Sequence, residues 1–220
     1  MSWFGDLFSR GRNRREGSSG SPEEPAVPDR HAERDMPLPA EEAGSSGEFE
    51  DAFMDIQSDM VSVCLEAIRD YGTADVGGER LTGRRLDEAL EDVYVYGALW
   101  GRFASTFDAF ARISGEIKTL NELVESDGFE SIFFQVCKVG FEDLARIKEL
   151  CGKWGRPCPA QIRGRYHVGG GYRAHYSYEP LLPEDDAELE AGLEDGSVSL
   201  PGDLFREWLD DVRAGNDDLA

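Results

Sequence analysis

At 220 residues with a formal charge of −22, the chain has room for one good-sized domain plus appendages. The acidity argues against nucleic acid as a direct partner, because phosphate binding needs a basic field. It suits long-range attraction to a basic protein, although solubility alone accounts for it equally well.

Residues 1–47 read as a tail. From Gly17 to Gly47 the chain is dominated by Ser, Pro, Glu, Gly and Ala. Such a composition cannot bury enough apolar surface to offset the entropy of ordering, so disorder is expected. The first residues differ. Trp3, Phe4, Leu7 and Phe8 would share one face of a short helix, followed by Arg10, Arg12, Arg14 and Arg15. That pattern fits a weak membrane or partner docking segment over residues 3–15, while two helical turns are marginal alone and a mobile end is the simpler account. The segment lacks the apolar core of a cleavable signal peptide, and no run approaches the roughly 20 apolar residues that span a bilayer. A cytoplasmic location is expected.

The folded domain is expected over 48–220. Phe49, Phe53, Ile56, Met60, Cys64 and Ile68 recur at three- and four-residue spacing, which predicts an amphipathic helix ending at Gly72. A polar connection with Gly77-Gly78 and the charged run Glu79 to Arg85 has no readable role. Val93 and Val95 then alternate with Tyr94 and Tyr96, with Gly97 closing the strand. Leu99 to Ile113 is apolar and aromatic, Ser114-Gly115 reads as a turn, and Glu116 to Thr119 follows, giving three antiparallel strands.

A second long helix is predicted over Phe129 to Gly152, with Gly140 marking a kink or a close helix–sheet contact. Around Gly169 to Gly171 lies a hairpin of alternating character. One face carries Ile162, Tyr166, Val168, Tyr172, Ala174, Tyr176 and Tyr178; the other carries Gln161, Arg163, Arg165, His167, Arg173, His175 and Glu179. The stretch Glu184 to Asp195 holds seven carboxylates and no base, and Pro201 to Val212 predicts a last helix with proline near its first position. The predicted fold class is α+β: an antiparallel sheet of about five strands packed against two long helices, with a C-terminal helix.

Candidate chemistry is sparse. His167 and His175, with Arg163, Arg165 and Arg173, form a basic strip that reads either as an anion site or as a partner for the protein's own acidic helices. Clustered arginines repel a cation and no ligand spacing supports a metal, so neither metal nor cofactor is expected. The three glycines join strand to strand, unlike a phosphate-binding loop. No G-x-S-x-G elbow is present, and an enzyme is not expected. The four cysteines read as reduced thiols, with Cys64 and Cys137 in the core; Cys151 and Cys158 flank a turn and could meet in an oxidising setting.

Several motifs occur in order: Val93 to Gly97, Ile113 to Ile117, Leu144 to Cys151, Pro159 to Ile162, and Tyr166 before the glycine turn. Tyr176 to Pro180 follows that turn, and Glu207-Trp208 lies in the last helix. Together, from Phe49 to Val212, they resemble the YezG-like family of bacterial immunity proteins, antitoxins of polymorphic toxin systems in bacterial competition. The resemblance implies a cytosolic protein that binds a cognate toxin domain, often a nuclease, and neutralises it stoichiometrically. A basic nuclease would be met through Glu184, Asp185, Asp186, Glu188 and Glu190 and through exposed sheet aromatics, with Tyr94 and Tyr96 as candidates. The alternative is a non-enzymatic peripheral adaptor docking through Trp3, Phe4, Leu7 and Phe8.

Overall fold

A computed structural model describes residues 46–100, 104–183 and 185–220. The docking segment with Trp3, Phe4, Leu7 and Phe8 and the expected disorder of 1–47 lie outside the described residues as far as residue 45; Ser46 and Gly47, expected in the tail, instead open the first helix. The chain runs α1 (Ser46–Tyr71), β1 (Thr73–Val76), β2 (Glu79–Thr82), α2 (Gly83–Ala89) and β3 (Leu90–Trp100). Then come β4 (Ala104–Ile113), β5 (Glu116–Thr119), α3 (Leu120–Leu123), α4 (Ile132–Trp154), β6 (Gln161–His167) and β7 (Tyr172–Ser177). The helices α5 (Asp186–Asp195) and α6 (Pro201–Arg213) complete it. This is the expected α+β class, with a five-stranded antiparallel sheet in the order β5-β4-β3-β6-β7.

The polar connection after α1 is a second, two-stranded sheet. Gly77 and Gly78 stand at φ 57° and 83°, the two positive angles that a type I′ hairpin turn demands. A Gly-Gly pair between Ala74-Asp75-Val76 and Glu79-Arg80-Leu81 is the signal that marks it.

Three layers build the core. On one side, Val93 and Val95 of the central strand β3 face α1 and α4, which contribute Met60, Cys64, Val136, Leu144 and Ile147. On the other, Tyr94, Tyr96 and Ala98 pack with Phe110 beneath Phe205, Trp208, Leu209 and Val212 of α6. Tyr94 stacks on Phe110 with ring centroids 4.4 Å apart, and Trp208 meets Phe110 edge-on at 4.9 Å. Large apolar side chains of this kind stabilise by roughly 1.5–3 kcal/mol each when fully buried.

Gly97 does not end the strand. It sits within the β3–β6 pairing, opposite Ile162, where a Cβ would lie 2.7 Å from Leu144 Cδ2, so its smallness admits α4 to the sheet. Gly140 marks the close contact rather than a kink: a Cβ there would lie 2.2 Å from Phe107 Cγ. The tyrosine face of the hairpin docks on α1, where the hydroxyls of Tyr172 and Tyr176 both donate to Gln57 Oε1, at 3.0 and 2.8 Å. Among the described residues, no helix is long and apolar enough to cross a membrane.

Candidate functional site

Four of the strip's five residues, Arg163, Arg165, His167 and Arg173, are committed to internal contacts. β6 lies beside β3, in a register that sets Arg165 opposite Tyr94 and His167 opposite Asp92. Asp92 is buried, and its carboxylate accepts from Arg165 Nε at 2.9 Å and from Arg112 Nε at 3.2 Å, with His167 Nδ1 at 2.9 Å. Burial works against this carboxylate, but the hydrogen bonds from Arg165 and His167 overcome it and hold its pKa below the ordinary value.

The C-terminal residues close the network. The Asp217 carboxylate accepts from Tyr94 Oη at 2.7 Å and lies 3.6 and 3.5 Å from Arg112 and Arg165. Arg165 Nη1 donates to the Leu219 carbonyl at 3.0 Å, and Arg173 donates to the Ala220 carbonyl. Arg163 lies over the Trp208 ring at 5.7 Å and 3.8 Å from Asp218. His175 stands exposed on β7. The strip does pair with the protein's own acids, yet these come from Asp92 and the chain's last residues rather than from the acidic helices. A cavity of about 320 Å³ remains between Arg165, His167, Arg173 and the C-terminus, lined by groups already engaged.

Tyr94 and Tyr96 are not exposed aromatics. Both are completely buried, because β3 is the central strand and α6 covers the face on which they stand. Their hydroxyls are used inside the fold, Tyr94 on Asp217 and Tyr96 as acceptor from Gln161 Nε2 at 3.1 Å. Alternation correctly separated the two faces of the strand, but a strand flanked on both sides and covered on both faces has no wet side.

The acidic stretch does reach solvent. It forms α5, with Asp185 as its N-cap accepting from the Ala187 and Glu188 amides at 3.0 and 2.9 Å. Asp186, Glu188, Glu190, Glu194 and Asp195 are all exposed, and no basic residue occupies its last turn. Glu184 lies outside the described residues.

Sequence reading missed Asp92, Arg112 and Asp217. A carboxylate beside the apolar run Val93 to Ala98 was the available signal, since a buried charge demands a partner. It also missed a cleft of about 610 Å³ beneath α6, lined by Asp108 and Phe133 among others. Among the described residues no group of three His, Cys, Asp or Glu could hold a metal ion. No protein-family profile matches the chain, and no curated protein matches it significantly.

Proposed function

We propose that this chain is an immunity protein: a non-enzymatic binding module that neutralises a cognate toxin domain, a basic nuclease being the first class to test. One observation carries the reading. Arg165 and Arg112 are drawn into internal pairs with Asp92, while the carboxylates of α5 stay exposed and unpaired by arginine or lysine among the described residues. An excess of 45 acidic over 23 basic residues thus becomes an external field. Such a field attracts a basic partner and competes for the surface that would engage phosphates.

Co-expression with a toxin domain tests it. The reading predicts a neighbouring gene for a large secreted protein with a variable C-terminal domain; co-expressed with that domain, the chain is expected to give full protection. Changing Asp186, Glu188 and Glu190 to lysine should slow association by roughly 10-fold or more at low salt, with little change at high salt. Killing undiminished by the unaltered chain would refute the reading.

A further inference from the structure

We propose that the cleft between β4, α3, the start of α4 and α6 receives an arginine side chain from a partner protein, which pairs with Asp108 beside a rim of exposed phenylalanines. This deepens the immunity reading by locating a contact, and rests on it only for the partner's basic character.

Asp108 stands on β4 opposite Tyr96, beyond the point where β5 stops pairing at Phe110. Its Oδ1 accepts from the amide of its own neighbour, Ala109, at 2.8 Å. Among the described residues no lysine or arginine lies within 4 Å of it. Burial pushes its pKa up to about 6, against the pull of that amide. A carboxylate held with one backbone donor and no cation is an incomplete pair.

The other carboxylates of the cleft each have a cation nearby: Arg213 is shared by Glu122 at 3.7 Å and Asp210 at 3.5 Å, while Arg206 binds Asp203 beside it. Asp108 is the lining carboxylate without a lysine or arginine within 4 Å among the described residues. The cavity of about 610 Å³ is within the roughly 300–1,000 Å³ of clefts that take small groups. Phe133 and Phe205 line it, and aromatic faces suit a planar, weakly hydrated guanidinium better than a compact ammonium.

A second observation, independent of charge, marks the same place. Phe129 is 90% exposed and Phe134 42%. Their rings stand 5.7 Å apart, and Phe134 lies a further 5.7 Å from Phe133 at the cleft wall. Three rings thus lead from open solvent to the cleft. Aromatics around a pocket for a charged anchor are the arrangement of interface hot spots, where the ring of apolar contacts excludes water from the ion pair.

The test uses the full chain and a probe peptide, acetyl-Leu-Arg-Leu-amide, with its citrulline counterpart, followed by amide chemical shifts. Saturable shifts at Thr106, Ala109 and Phe133 are expected with the arginine peptide. Binding should weaken roughly 10-fold with citrulline and in the Asp108→Asn variant, as loss of a charge-assisted pair implies. Phe129→Ser, at a position open to solvent whose ring touches Phe134, should weaken it several-fold. Absence of saturable shifts, or equal binding by Asp108→Asn, overturns the proposal. So does binding that emerges only when Arg10, Arg12, Arg14 and Arg15 are changed to glutamine, for the occupant is then the chain's own segment. Protection unchanged by Asp108→Asn would remove this site and leave the immunity reading. Peptide binding by a chain that gives no protection would do the reverse.

Discussion

The hydroxyl of Tyr94 donates to the carboxylate of Asp217 at 2.7 Å, across 123 positions of chain. The bond joins the central strand to the last four residues, and it makes the C-terminus part of the core. Leu219 is buried in the same cluster as Trp208 and Phe110, and the Leu219 amide turns back to donate to Asp217 Oδ1 at 3.0 Å. Residues 217–220 cover a buried charge network.

Removal of residues 217–220 should therefore cost far more than the loss of a surface tail. Arg112 and Arg165 would keep Asp92 but lose their second carboxylate, and the Tyr94 hydroxyl would lose its acceptor. The two arginines keep one carboxylate, so the main losses are the Tyr94 bond to a charged acceptor, worth roughly 1.5–3 kcal/mol, and the burial of Leu219; the urea midpoint should fall accordingly. A truncated chain with an unchanged midpoint would contradict this account.

The helix–sheet contact at Gly140 gives a second expectation. Alanine is the better helix former by about 1 kcal/mol, yet its Cβ would meet the Phe107 ring at 2.2 Å. The contact is to the ring's attachment carbon, which cannot swing away without moving β4. Overpacking should dominate, and Gly140→Ala should destabilise by roughly 1–3 kcal/mol. Shortening Phe107 to leucine in the same chain should recover part of that loss; in a double-mutant cycle, additive effects would show that the two positions do not touch.

These two relationships show how far sequence reading reaches. Period-two and period-3.6 patterns placed both long helices, the last helix, the three-stranded meander and the hairpin, because each element buries one periodic face. They could not say which strand would be central. That depends on the long-range pairing of β3 with β6 on the side away from its hairpin partner β4, and centrality is what buried Tyr94 and Tyr96. The β1–β2 hairpin escaped because its strands are short and polar, although its turn glycines were visible. The basic strip was legible as a strip, but its partners were not: Asp217 lies 52 residues beyond Arg165, and nothing in the intervening sequence points to their meeting.

The thiols supply a third prediction. Cys64, Cys137 and Cys151 are buried and Cys158 is half-buried, all of them unpaired. Burial raises each of their pKa values, with Cys137 and Cys158 pushed up to about 12. The nucleophile is the thiolate, so none of the four should react quickly with iodoacetamide at pH 7.5, and all four should react in strong urea. Rapid labelling of Cys158 in the native protein would show that its turn opens readily.

The raised pKa of Asp108 has a stability consequence of known sign. Its folded value of about 6 stands above the ordinary 3.8, with burial as the cause. Between pH 4 and 6 the folded chain keeps a proton that the unfolded chain has released, so stability declines as pH rises through that window. Above it the penalty of a desolvated charge is present in full. Asp108→Asn removes the charge while leaving an oxygen for the Ala109 amide. The variant should thus exceed the unaltered protein at pH 7.5 by roughly 1–2 kcal/mol, less than full conversion of the shift because water still reaches the carboxylate. The gain should vanish below pH 4. Asp92, whose lowered pKa acts with the opposite sign, is common to both chains and cancels in the difference. Urea midpoints for the two chains across pH 4 to 7.5 measure it, and a gap that does not change with pH would mean that Asp108 is not desolvated.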